Sequence, residues 1–358
     1  MNPDFQQLMR NATRLTRSGD LQAATAAIQA ALAGAQTAPG AAPATPALDK
    51  LFHVIDVAAR EVPGTEPCAP SSEETPGPES FIAGSHGGAA GRRDFKLYIP
   101  PGADDRKLPL VVMLHGCTQH PDDFAAGTDM NTIAGTQGFY VLYPAQSQQA
   151  NPQRCWSWFK HNHQARGRGE PALLAGMTRE VMAGYAIDPD RVYVAGLSAG
   201  GAMAAILGDT YPDLYAAVGV HSGLAPGVAT DLPSALGAMK GGANPVRTSA
   251  SGIATIVFHG DADTTVHPGN GHQVIAASAG TATRVDVERR QAPGGRASTR
   301  SVHRAADGAV VAEHWLVHGA PHAWSGGSAK GTYTDLRGPD ASAEMLRFFL
   351  EHPRQPGH

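Results

Sequence analysis

A mostly parallel α/β sheet with helices on both faces is predicted by three observations. Short, continuous apolar runs alternate with helical stretches from about residue 95 onward. The runs lack in/out alternation, as strands buried on both faces do. One of them passes through a Gly-x-Ser-x-Gly turn into an Ala-rich stretch. The strands expected are Phe95–Ile99, Leu110–Leu114, Tyr140–Tyr143, Val192–Ala195, Ala217–His221, Ile256–Phe258, Val285–Glu288 and Ala312–Val317, with Ala341–Glu351 as a closing helix. Asp188-Pro189-Asp190 reads as a turn before the fourth strand, and Gly201–Gly208 as the helix after it.

The N-terminal part reads differently. Phe5, Leu8, Met9, Ala12 and Leu15 recur at helical spacing, Ser18-Gly19-Asp20 breaks the pattern, and Leu21, Ala24, Ile28, Ala31 and Leu32 resume it. A helical hairpin over residues 1–33 is expected. Its apolar stripes would dock on its own domain or serve a partner or self-association. Residues 34–88 are rich in Pro, Ala and Gly and read as linker and loop, leaving 89–353 for the α/β domain. The net charge of −4 gives no electrostatic case for nucleic acid. No apolar stretch approaches the roughly 18 residues that would span a bilayer. The opening residues show no basic segment leading into an apolar one, so no secretory signal is visible, and the sequence alone points to the cytoplasm.

Arg191–Gly201, RVYVAGLSAGG, carries the sharpest chemical signal. A β-branched strand entering Gly196-Leu197-Ser198-Ala199-Gly200 and leaving as a helix is the pattern that exposes a serine Oγ on a tight turn, so Ser198 is a candidate nucleophile. Such a serine needs a base, and the base an orienting acid, in the order acid then histidine downstream. The strand Thr255–Phe258 ends in His259-Gly260-Asp261-Ala262-Asp263, and on position alone either aspartate qualifies. The chain has 16 histidines, so only a histidine in a loop following a later strand is informative. After Ala312–Val317 that is His322, beyond Gly319 and Pro321, with His318 as the alternative.

The buried run Leu108–Leu114 ends in His115-Gly116-Cys117, whose loop would supply one oxyanion donor, the Cys117 N–H, beside that of Ala199. Aromatic residues, only 6% of the chain, crowd into Cys155–Phe159. Trp156 and Trp158 share a face if that segment is extended, which makes them candidates for an apolar substrate wall, with packing beneath a long loop as the equal alternative. Trp324 is expected to pack and fix the histidine loop. No H-E-x-x-H or C-x-x-C pattern suggests a metal.

Taken together, HGCTQ, RCWSWF, RGRGEP, GLSAGGAMA, HGDADTTV and HGAPHAWSGG resemble the poly(3-hydroxybutyrate) depolymerase family of esterases, in the family's order over roughly residues 90 to 350. The resemblance implies an α/β-hydrolase catalytic domain over 89–353, with Ser198 as nucleophile, Asp263 as acid and His322 as base. It also implies a Cys117–Cys155 disulfide, which leaves Cys68 unpaired. The activity implied is cofactor-free hydrolysis of 3-hydroxyalkanoate polymers or oligomers, or of similar short-chain esters, through an acyl-enzyme. A feruloyl or acetyl esterase on the same scaffold is the nearest alternative, and a non-catalytic binding protein on a hydrolase fold is the alternative of a different class. Family enzymes that attack solid polymer carry a secretion signal and a separate polymer-binding domain, neither visible here. An extracellular location, as in the resembling family, is the alternative to the cytoplasm, where thiols would stay reduced.

Overall fold

The computed structural model describes residues 80–354 except 89–90, 104–105, 242–251, 281 and 292–293. The hairpin expected over 1–33, and residues 34–79, lie outside the described residues.

The strands are β1 (Ser80–Gly88), β2 (Gly91–Ile99), β3 (Leu108–Leu114), β4 (Tyr140–Pro144), β5 (Ile187–Leu197), β6 (Ala217–His221), β7 (Ala254–Gly260), β8 (Arg284–Gln291), β9 (Ala297–Arg304), β10 (Val310–Val317), β11 (Trp324–Ser325) and β12 (Thr334–Asp335). The helices are α1 (Pro121–Thr128), α2 (Met130–Gln137), α3 (Gly169–Gly184), α4 (Ala199–Thr210), α5 (Leu232–Met239), α6 (Gly269–Ser278) and α7 (Ala341–Glu351).

One ten-stranded sheet runs in the order β1-β2-β4-β3-β5-β6-β7-β10-β9-β8. Its centre, from β4 to β10, is parallel. Antiparallel strands finish both sides. Every residue of β3 is buried, which is why its sequence is continuously apolar. Its side chains nonetheless alternate between two cores. Leu108, Leu110, Val112 and Leu114 join the cluster holding Leu174 and Met177 of α3 and Met203 of α4. Val111 and Met113 join the one holding Phe124 of α1, Met130 of α2 and Phe349 of α7. Helices therefore cover both faces, as the sequence predicts. In α7 the Asp340 carboxylate caps the Ala343 N–H at 2.9 Å, and Phe349 stacks on Tyr193 of β5 at 5.0 Å between ring centroids.

Three elements differ from the sequence reading. Residues 80–88, read as loop, form β1, which pairs in register with β2 from Ser80↔Ile99 to Gly88↔Gly91. It is an edge strand with little burial, so it carries no apolar signature. β9 has a polar sequence, ASTRSVHR, and lies between β8 and β10. Asp188-Pro189-Asp190 lies within β5, where the pairing with β3 jumps from Leu108↔Ile187 to Leu110↔Val192. Asp188 accepts from the Asp190 N–H (3.1 Å) and from Arg191 Nε (2.7 Å), so the turn chemistry is expressed as a bulge inside the strand.

Candidate active site

The carboxyl ends of β3, β5, β6, β7 and β10 lie side by side, and each delivers one component. At the end of β5 the chain turns through Ser198, a non-glycine residue at φ 57° and ψ −118°, directly into α4. Such a conformation is strained and is retained where surrounding structure enforces it. The enforcement is visible here. Ser198 N donates to His221 O at 2.8 Å, and Ser198 O accepts from Ala202 N at 2.9 Å. A Cβ on Gly200 would overlap the Leu114 carbonyl, and one on Gly196 would overlap Gly200, so both flanking glycines are sterically required.

From the end of β7, Asp263 turns its carboxylate inward. Oδ1 accepts the N–H groups of Thr265 and Val266, each at 2.9 Å. Oδ2 lies 2.6 Å from His322 Nδ1. The Asp263 side chain is fully buried and that of His322 is 13% exposed. Burial alone would raise the Asp263 carboxyl, but hydrogen bonds from His259, His322 and Val266 outweigh it and hold the group well below the usual carboxylate range. The Asp263–His322 pair is therefore an ionised acid orienting an imidazole. No hydrogen bond joins Ser198 Oγ to His322 among the described residues, a bond that in hydrolases often tightens only with substrate bound.

The alternative pair is also formed, with a different character. His318 Nδ1 lies 2.8 Å from Asp261 Oδ2, and both side chains are 38% exposed. The second nitrogen of His318 is taken by Thr299 Oγ1 at 2.9 Å, and Asp261 Oδ1 accepts the Gly319 N–H at 2.6 Å. With both ring nitrogens engaged, His318 has none left to act as a base, and the pair ties the two loops together.

Beneath Ser198, His221 is buried with its ring stacked against Phe258 and Trp324. Its Nε2 accepts the Ser325 N–H at 2.9 Å, and burial pushes its pKa well below the ordinary value, so it is neutral. Trp324 donates Nε1–H to Ser342 Oγ at 3.1 Å and packs edge-on against Phe124, so it fixes the chain just after His322 as expected.

The oxyanion loop follows β3. His115 Nε2 accepts the Gln146 N–H at 3.1 Å, so Nδ1 carries the proton and donates to Gly116 O at 2.7 Å. Burial pushes His115 down to about 4. Gly116 N donates to Gln119 Oε1 at 3.0 Å. The Cys117–Cys155 disulfide is present, and Thr118 N donates to Gln153 O at 2.6 Å. The N–H groups of Cys117 and Ala199 have no acceptor among the described residues.

Trp156 and Trp158 do not wall a cleft. Trp156 is fully buried, its Nε1–H bonded to His115 O at 3.1 Å and its ring against the His115 imidazole. Trp158 is 5% exposed in the same core. Both rings lie in the interior, and Ser157 between them is buried as well.

Sequence reasoning also passed over residues that hold this loop. Gln119 donates Nε2–H to Asp123 Oδ2 (2.9 Å), and Asp123 binds Thr332 N (2.8 Å) and Thr332 Oγ1 (2.5 Å). The oxyanion loop is thereby joined to the segment that follows His322. Buried Glu170 accepts from Ser157 N (2.6 Å) and Gln146 Nε2 (2.5 Å), anchoring the segment after Cys155. Gln119 and Glu170 lie inside HGCTQ and RGRGEP, the signal that could have marked them. Among the described residues no cluster of His, Cys, Asp and Glu could hold a metal ion, and no helix is long and apolar enough to cross a membrane.

A parallel sheet with a strained serine between strand and helix, and a buried aspartate on a histidine at the same edge, defines an α/β-hydrolase. A solved acetyl xylan esterase from Aspergillus awamori shares this fold with a TM-score of 0.55 at 19% identity, covering 72% of this chain and 94% of that one. The profile of the esterase PHB depolymerase family matches residues 93–297, and the chain belongs to that family. It is 33% identical over 191 residues to poly(3-hydroxyalkanoate) depolymerase C of Paucimonas lemoignei, covering 50% of this chain and 46% of the relative. Over 140 residues it is 32% identical to feruloyl esterase B of Thermothelomyces thermophilus, covering 39% and 47%. The match thus spans less than half the length of either relative.

Proposed function

We propose that the protein is a serine carboxyl-ester hydrolase that cleaves 3-hydroxyalkanoate oligomers or polymers, or similar short-chain esters, through an acyl-enzyme. The observation that carries this reading is the buried Asp263 carboxylate 2.6 Å from His322 Nδ1, at the same sheet edge as the Ser198 elbow. In this mechanism Ser198 Oγ attacks the ester carbonyl while His322 Nε2 takes its proton. Asp263 keeps the Nδ1 proton in place and stabilises the imidazolium without taking the proton. The N–H groups of Ala199 and Cys117 receive the oxyanion, each worth about 2.7–4 kcal/mol of transition-state stabilisation. Collapse returns the proton to the leaving hydroxyl, and water repeats the sequence to release the acid.

Membership of the family and the match to the Paucimonas lemoignei depolymerase support hydroxyalkanoates as the substrate class. The match to a feruloyl esterase favours a second reading on the same machinery. Initial rates on 3-hydroxybutyrate oligomers, p-nitrophenyl butyrate, p-nitrophenyl acetate and methyl ferulate separate the two. The expected result is the highest kcat/KM on the hydroxybutyrate oligomers. A clear preference for the feruloyl or acetyl ester would move the substrate class, and no turnover of any ester would reject the enzyme reading.

A further inference from the structure

Within HGDADTTV one residue is given no task by a serine–histidine–aspartate mechanism. His259 lies on β7, fully buried, and its Nε2 is 2.9 Å from Val266 O and 3.4 Å from Asp263 Oδ2. A carbonyl only accepts, so Nε2 carries a proton and donates it. Nδ1 has no partner and faces α6, where a Cβ on Gly271 would stand 3.0 Å from it. A second proton on Nδ1 would be a buried, unpaired N–H, so the ring is neutral and its tautomer is set by the Val266 carbonyl.

The Asp263 carboxylate is thereby surrounded by donors. Oδ1 takes the Thr265 and Val266 N–H groups, and Oδ2 bonds His322 and lies 3.4 Å from His259 Nε2, whose shorter bond is to Val266 O. The two N–H groups on Oδ1 and the His322 bond on Oδ2 set the plane of the rigid carboxylate, and His259 is the further side chain placed to brace its Oδ2 end. The same N–H bonds the carbonyl of Val266, so one imidazole closes the acid loop and touches the acid it carries. We propose that His259 is a positioning residue for ester hydrolysis, a neutral imidazole whose Nε2–H holds the Asp263 carboxylate toward His322 and pins the 260–266 loop.

This rests on reading Asp263 and His322 as acid and base, and the test separates the two claims. His259→Gln, His259→Asn and His259→Leu are compared with wild type on p-nitrophenyl butyrate from pH 5 to 9, with melting temperatures in parallel. Gln brings an amide N–H to the place of Nε2, whereas Asn brings one only to the place of Nδ1. The Leu variant should lose about tenfold or more in kcat, up to about 100-fold if the acid shifts by about 1 Å, with KM nearly unchanged. The Gln variant should recover most of that loss and the Asn variant little.

The pH profile gives a second readout. Among the described residues the ionisable groups that interact with His322 are Asp263 and His221, the latter held neutral by burial, and His259 acts on Asp263. Removing a donor from Asp263 makes it a stronger acceptor, which favours protonated His322. The acid limb of kcat/KM should therefore move to higher pH in the Leu variant and return in the Gln variant. Wild-type kcat and an unmoved limb in a folded Leu variant would overturn the proposal, as would equal losses in Gln and Asn. If Leu does not fold, the Gln–Asn comparison decides. Turnover surviving in Ser198→Ala and Asp263→Asn would instead bring down the underlying reading, whatever the His259 variants do.

Discussion

Breaking the Cys117–Cys155 disulfide tests stability and catalysis together, because the bond joins the oxyanion loop to the segment leading into Trp156. The bridge closes a sequence separation of 38 residues. In the chain-entropy description, opening a loop of that length costs about 4 kcal/mol. A domain of this size unfolds with roughly 0.6 kcal/mol/K of entropy, so the melting temperature should fall by about 7 °C. The loss of activity should be smaller than the removal of an oxyanion donor. Thr118 N on Gln153 O, Gly116 N on Gln119 Oε1 and Trp156 Nε1 on His115 O all survive reduction and still hold the loop. A fall in kcat of about tenfold or less is expected, against more than 100-fold for a lost donor. The assay compares wild type, Cys117→Ser and Cys155→Ser by calorimetry and ester turnover, with and without reductant. Both variants should melt alike and ignore reductant, while wild type with reductant should move to join them. Thiol titration of denatured, unreduced protein should find one free thiol, Cys68. Three free thiols, or an unchanged melting temperature in both variants, would refute the reasoning.

Other expectations follow from the geometry and, for residues 1–33, from the sequence. Asp263→Asn should lose far more turnover than Asp261→Asn, because only Asp263 holds a histidine with a free second nitrogen; equal losses in kcat would reverse the assignment. The buried histidines His115, held down at about 4, and His314, at about 3, with an ordinary value of 6.5, take up protons only on unfolding. Stability should therefore fall as pH drops from about 6.5 toward 4, by about 1.4 kcal/mol per pH unit for each such histidine, and a melting temperature flat between pH 6.5 and 5 would contradict this. Deleting residues 1–33 should alter solubility or oligomeric state, read by light scattering, and spare kcat on p-nitrophenyl esters; abolished turnover in a folded deletion variant would give that segment a role at the site instead.

The parallel centre of the sheet is legible in the sequence because strands buried on both faces are continuously apolar, as β3 is throughout and β6 is up to His221. β1 and β9 escape for the complementary reason. The first is an exposed edge and the second is polar, so backbone pairing rather than burial defines them. The elbow is legible because its glycines are steric necessities. The choice of Asp263 over Asp261 comes from family resemblance and not from the residues, since both aspartates meet a histidine, and burial and the Thr299 bond on His318 tell them apart only in the structure. The indole pair Trp156 and Trp158 misleads, because spacing does not reveal whether side chains meet solvent or core. Gln119 and Glu170 lie inside quoted motifs, but their tasks, and that of Asp123, depend on partners such as Gln146, Ser157 and Thr332 that only the fold brings near.

Trapping the acyl group tests the central claim most directly. Wild-type protein and Ser198→Ala are mixed with excess p-nitrophenyl butyrate, acid-quenched within the first turnover, digested and analysed by mass spectrometry. The account predicts a butyryl adduct on the peptide containing Ser198, a stoichiometric burst of p-nitrophenol, and neither adduct nor turnover in Ser198→Ala. Undiminished turnover in that variant, or a kinetically competent adduct on another residue, would contradict it.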